Sequence, residues 1–205
     1  MLELRPSCER CNKALARLAS AFRAIAPGKP SIATRVARGV FLALSAAASA
    51  ALADVRDTET ERALSLKAGG PALVMPRGDW VLASERVRKD RLVVYYLLSS
   101  ESAGVTFSVY INGARACEAV DRCLELALDN PGYEAARDIA RVEAGGFKAA
   151  HFHIDRPMGA DVQQANVVAA GLRDGVWFDM HLSAVGKQKP EVAPMLELLK
   201  GFSLR

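Results

Sequence analysis

Residues 165–185 read ANVVAAGLRDGVWFDMHLSAV. Asp174-Gly175 is a preferred pair for a two-residue type I′ turn, because both central positions of that turn need a positive φ. After the turn, Val176, Phe178, Met180 and Leu182 alternate with Trp177, Asp179, His181 and Ser183. Successive side chains of a strand point to opposite faces, so these two sets separate into an apolar and a mostly polar face. The stretch predicts a β-hairpin of residues 165–173 and 176–185 within an antiparallel sheet.

Reading outward from the hairpin, FKAAHFHID at Phe147–Asp155 predicts a strand, with Phe152 and Ile154 on one face and His151 and His153 on the other. VTFSVYI at Val105–Ile111 alternates in the same way, and Asn112-Gly113 ends it. RLVVYYLLS at Arg91–Ser99 is apolar on both faces, which predicts a strand covered on both sides. Shorter strands are expected at Trp80–Arg86 and Ala63–Lys67, with Asp54–Arg62 a loose lead-in. CEAVDRCLELALD at Cys117–Asp129 predicts a middle helix, because Val120, Cys123, Leu124, Ala127 and Leu128 form one apolar stripe. Asn130-Pro131-Gly132 stops it, a short helical piece follows at Glu134–Arg141, and Gly145-Gly146 breaks the chain again. In the C-terminal KPEVAPMLELLKGFSLR, Pro190 suits a first helical turn, Val192, Met195, Leu196 and Leu199 make a stripe, and Gly201 suits a cap. The expected fold class is α+β: a mostly antiparallel sheet of about five or six strands, packed by a middle helix and a C-terminal helix.

Charge divides the chain. The 205 residues carry a net +4, yet residues 1–53 hold eight Lys/Arg against two acids, and residues 54–205 hold 19 against 21. The basic excess therefore belongs to the leader, and the near-neutral remainder argues against a nucleic-acid-binding domain. Residues 35–53 read RVARGVFLALSAAASAALA. Arg35 and Arg38 precede an apolar run, and Ala51-Leu52-Ala53 is a small-x-small site, which together predict a signal peptide cut between Ala53 and Asp54. No apolar run is long enough for a confident transmembrane helix. The expected organisation is an extension over 1–34, a signal peptide over 35–53 and a single globular domain over 54–205, in a periplasmic or secreted protein. Residues Asn12–Ile25 have the basic amphipathic pattern of an organellar transit segment, but a translation start near Val36, downstream of the extension, is the simpler reading.

Two resemblances accompany these patterns. The opening MLELRPSCERCNKALA, residues 1–16, is similar to the start of a family of small bacterial proteins with several cysteine pairs. Here Cys8 and Cys11 form one C-x-x-C, and a structural zinc site wants four ligands. The layout of residues 63–205, with a late hairpin, a C-terminal helix and the ending LLKGFSL, resembles the PsbP/Mog1-like superfamily of α/β/α sandwiches. That resemblance implies an accessory or binding role.

Three sets of residues could carry chemistry. Cys117 and Cys123 would pair in an oxidising compartment, or else stand as two thiols on the helix stripe. Six residues within one helix rise about 9 Å, beyond the roughly 7 Å that a disulfide tolerates, so pairing requires Cys117 to precede the helix. His151 and His153 share a strand face, as do Asp179 and His181. If the two strands are neighbours, these four residues could converge on Zn or Cu; otherwise they line a solvated or helix-covered polar face. The run Arg86, Arg88, Lys89 and Arg91 suits a solvated hairpin tip. There is no G-x-S-x-G elbow, and Asp179, His181 and Ser183 on one strand face point in parallel rather than toward each other. The expectation is a non-enzymatic, cofactor-free binding or accessory domain for an envelope protein or small ligand, with a metal-binding protein as the alternative.

Overall fold

A computed structural model describes residues 53–113 and 117–205. The leader up to Leu52, including Cys8 and Cys11, lies outside the described residues. In chain order the elements are β1 (Asp54–Asp57), β2 (Glu61–Ser65), β3 (Ala72–Pro76), β4 (Val81–Val87), β5 (Val93–Ser100), β6 (Val105–Asn112), α1 (Val120–Leu128), β7 (Ala136–Ala144), β8 (Phe147–Asp155), β9 (Gln163–Arg173), β10 (Val176–Gly186), α2 (Ala193–Lys200) and β11 (Ser203–Leu204). Four strands form a small sheet in the order β1-β2-β3-β11, and seven form a large one in the order β4-β5-β6-β10-β9-β8-β7. Every pairing is antiparallel.

The α+β expectation is corrected by these elements. Strand accounts for 53% of the described residues and helix for 15%, so the domain is mostly β, and its two sheets replace one helix-packed layer. Glu134–Arg141, expected to be helical, supplies most of β7. Its alanines, arginines and glutamate favour a helix, but pairing with β8 from Ala136↔Ile154 to Ala144↔Phe147 overrides that propensity. Asp138, at φ 57, marks an irregularity between Arg137 and Ala140 that restores Ala140, Val142 and Ala144 to one face. The expected lead-in contains β1, paired from Asp54↔Ser65 to Asp57↔Arg62. ALVMP after Gly70-Pro71 forms β3, a strand with no polar alternation because Ala72, Leu73, Val74 and Met75 are all buried.

The central hairpin forms as its turn demands. Arg173 pairs with Val176 across Asp174 and Gly175, whose φ values are 50° and 76°. Val94, Tyr96 and Leu98 of β5, Phe107, Val109 and Ile111 of β6, and Phe178, Met180 and Leu182 of β10 build the inner face of the large sheet. Onto it pack Leu64, Leu73 and Met75 of the small sheet, Met195 and Leu199 of α2, and Phe202. Phe107 holds the centre, edge-on to Trp80 at 6.1 Å and to Phe202 at 5.2 Å. Polar ties fix the sheets to each other. The buried Tyr96 hydroxyl donates to the Ser65 carbonyl at 2.9 Å. Arg62 donates Nε and Nη2 to the two Asp57 oxygens at 2.7 and 2.9 Å and Nη1 to the Trp80 carbonyl at 2.9 Å. This fork and a second arginine, Arg77, hold the Asp57 carboxyl well below the usual carboxylate range.

The outer face is covered only in part. Cys123, Leu124 and Ala127 of α1 pack on Phe152, Ile154, Val168, Ala170 and Trp177 of β8, β9 and β10. Among the described residues, the main contacts of α1 are with β9, β8 and β10. Among them too, no helix is long and apolar enough to cross a membrane.

Gly145 and Gly146 close the β7–β8 hairpin at φ 61° and 82°, and only one of them also touches its surroundings. A Cβ on Gly145 would lie 2.6 Å from the Leu199 carbonyl oxygen and 2.8 Å from Lys200 Cα, whereas one on Gly146 would meet nothing within 4 Å. Gly146→Ala is expected to cost about 1–2 kcal/mol, the backbone term alone. Gly145→Ala is expected to cost at least about twice that, because the end of α2 must also move. Denaturant midpoints of the two variants check this, and equal losses would refute the close approach.

Candidate functional site

The residues expected to converge on a metal do not meet. β9 lies between β8 and β10, so the histidine-bearing strands are not neighbours. His151 stands opposite Val167, which stands opposite Leu182, all on the inner face. His181 stands opposite Val168, on the outer face that α1 covers. His151 and His153 are thus on one side of the large sheet, and Asp179 and His181 on the other. His153 Nε2 lies 3.0 Å from the Pro190 carbonyl. Among the described residues no group of three or more His, Cys, Asp or Glu side chains is arranged to hold a metal. The alternation gave each strand two faces correctly. It could not reveal that the apolar-looking face of β8, Phe152 and Ile154, lies outward while that of β10 lies inward.

The cysteines do meet. Cys117 precedes α1, which starts at Val120, and it forms a disulfide with Cys123 at a Cα separation of 5.4 Å. Both lie in the outer core beside Phe152, Val168 and Trp177, so the bridge ties the entry of α1 to its first turn where the helix meets the sheet.

The outer face carries the most distinctive side chains. Register places one residue from each strand in a single row: Arg86 (β4), Tyr95 (β5), Tyr110 (β6), Asp179 (β10), Ala170 (β9), Lys148 (β8) and Glu143 (β7). Tyr95 and Tyr110 lie with ring centroids 4.6 Å apart. Beside the row, His181 Nε2 is 2.9 Å from Oδ1 of the fully buried Asn166. Tyr133, carried by the turn Pro131–Tyr133 after α1, lies over that histidine at 5.6 Å and edge-on to Phe152 at 4.9 Å. Tyr133 and Asn166 carried no periodic signal. Tyr133 reaches the sheet only because the helix before it crosses β8–β10.

Burial dominates the electrostatics. It pushes the Asp179 carboxyl up from 3.8 to about 6, with no cation offsetting it. It pushes His181 down from 6.5 to about 4, so the imidazole is neutral near pH 7. Burial first, and then the Asp179 charge, raise the hydroxyl pKa values of Tyr110 and Tyr133. The Asp179 charge therefore acts on both rings. The arrangement offers a partly desolvated negative charge, flanking aromatic surface and a neutral histidine, which suits binding. A shallow cleft elsewhere, lined by Asp155, Arg156, Asp161, Val162, Gln163 and Lys187, offers mixed charges around a fully exposed Asp161.

Two predictions follow from these environments. The Asp179 proton is held more tightly folded than unfolded, so its stabilising term is present at low pH and lost as pH rises through about 6. His181 has the opposite sign: its folded form resists protonation, so its term grows as pH rises from about 4 to 6.5. Relative to the parent, His181→Gln should make stability fall more steeply between pH 4 and 6, and Asp179→Asn should make it rise more steeply. Unfolding midpoints across that range check this, and slopes of the same sign would refute it. Replacing both Cys117 and Cys123 with serine should cost on the order of 2 kcal/mol, the chain-entropy value for so short a loop, read by denaturant titration.

In the comparisons with known proteins, no family model matches the chain and no curated protein matches it in sequence.

Proposed function

We propose that this is an exported, periplasmic or secreted, non-enzymatic binding or accessory protein, whose small ligand or envelope partner engages the outer face of the large sheet. The observation that carries this reading is the half-roofed state of that face. Helix α1 covers β8, β9 and β10, while Tyr110, 47% exposed, and the partly buried Tyr95 and Leu97 stand beyond it. Rigid strands under exposed aromatic rings make a binding surface with little ordering cost. Export is supported by the leader sequence and by the Cys117–Cys123 disulfide, a bond that persists in oxidising compartments. β1 begins at Asp54, the residue that cleavage after Ala53 would leave first.

Intact mass spectrometry of the protein produced in its native host tests the export reading. The expected mass is that of Asp54–Arg205 less two hydrogens. A reduced chain that retains residues 35–53 would overturn it.

A further inference from the structure

We infer that the outer face of the large sheet holds an organic ammonium ion, with Asp179 as its counter-charge and the rings of Tyr110 and Tyr133 as its walls. This inference rests on the reading of that face as a binding surface, and it names the ligand class.

Asp179 is the centre of the argument. It lies on the middle strand of the large sheet, opposite Tyr110 on one side and Ala170 on the other. Neither neighbour supplies a positive charge. A partly buried carboxylate without a cation pays desolvation with no Coulombic return. The nearby basic groups are directed elsewhere. Lys148, two strands away in the same row, pairs with Glu143 and lies 3.8 Å from Asp121. Arg86 starts at the far end of the row, three strand spacings or about 14 Å from Asp179 between backbones, and its charge acts on Tyr95 and Tyr110. His181, two residues along the same strand, is neutral and hydrogen-bonded to Asn166.

The surroundings favour one kind of cation. A metal ion needs several oxygen, nitrogen or sulfur ligands, and Asp179 belongs to no such group among the described residues. An anion would be repelled by Asp179. An ammonium ion needs one carboxylate and the negatively polarised faces of aromatic rings. Tyr110 stands beside Asp179 across one strand spacing, and Tyr95 backs it at 4.6 Å. Tyr133 lies at 5.6 Å from His181, two residues along the same strand. Tyr110 is thus next to Asp179 in register, Tyr133 lies over the residue two places along the same strand, and the exposure of Tyr110 leaves the approach open to solvent.

Choline and its uncharged isostere 3,3-dimethylbutan-1-ol are the probes, titrated into the full chain with its disulfide intact and followed by tyrosine ring NMR signals. Choline is expected to bind saturably and shift Tyr110 and Tyr133, with the alcohol about tenfold weaker or more. Asp179→Asn should remove that preference while leaving the alcohol's weak effect unchanged, and Tyr110→Leu should weaken choline about threefold or more. Equal binding of the two probes would overturn the cation inference and leave the face as an apolar binding surface. Silence of these tyrosines toward both probes would overturn the cation inference and count against the binding surface as well. Choline binding that survives Asp179→Asn would also overturn the inference, because the charge would not be its source.

Discussion

The register of β10, the middle strand of the large sheet, determines the position of nearly everything else. Its pairing with β9 is set by the Asp174-Gly175 turn, and its pairing with β6 runs from Trp177↔Asn112 to Ser183↔Thr106. A slip of one residue would exchange the two faces. Phe178, Met180 and Leu182 would then face outward, and Asp179 would enter a core of Phe107, Val109 and Met195. The cost of burying that carboxylate and exposing those apolar side chains is what makes the register unambiguous. The row that places Tyr110 beside Asp179 depends on this register.

Two layers of different character rest on this frame. The inner layer is apolar and aromatic, closed by the small sheet and α2, and two of its polar side chains tie its parts together. Tyr96 reaches Ser65, and Arg62 joins Asp57 to the Trp80 carbonyl. The outer layer is thinner: one short helix, anchored by its own disulfide, with a tyrosine from the following turn. The polar side chains Asp179 and His181 find room there because α1 covers only part of the sheet.

Much of the strand content was legible in the sequence where alternation met a strong turn. Phe147–Asp155 and the hairpin at Asp174-Gly175 are the clearest cases. What escaped has physical reasons. β3 is buried throughout, so it has no period to read. β7 is an edge strand with an irregularity, and its composition favours a helix. β1 is a short charged strand that pairs with the next one, β2, and β11 owes its form to a partner far along the chain, with Ser203 paired to Val74. The candidate site was half legible. Asp179 and His181 were placed on one face by spacing alone. Their separation from His151 and His153 depended on β9 intervening and on which side of the sheet each strand turned its apolar set. A single chain's alternation contains neither fact.

Within the large sheet the strand order also concentrates the entropic cost of folding in one place. In the large sheet every pairing joins strands consecutive in the chain except β6 with β10. The sheet is therefore two meanders, β4–β6 and β7–β10, each closed by short local loops, joined along one seam that spans about 65 residues between its partners. Local hairpins form quickly and cheaply, while the seam must wait for a long loop to close. Tyr110 and Asp179 lie on opposite sides of that seam. The two halves of the proposed cation site thus belong to different meanders, and the site comes into being only when the seam does.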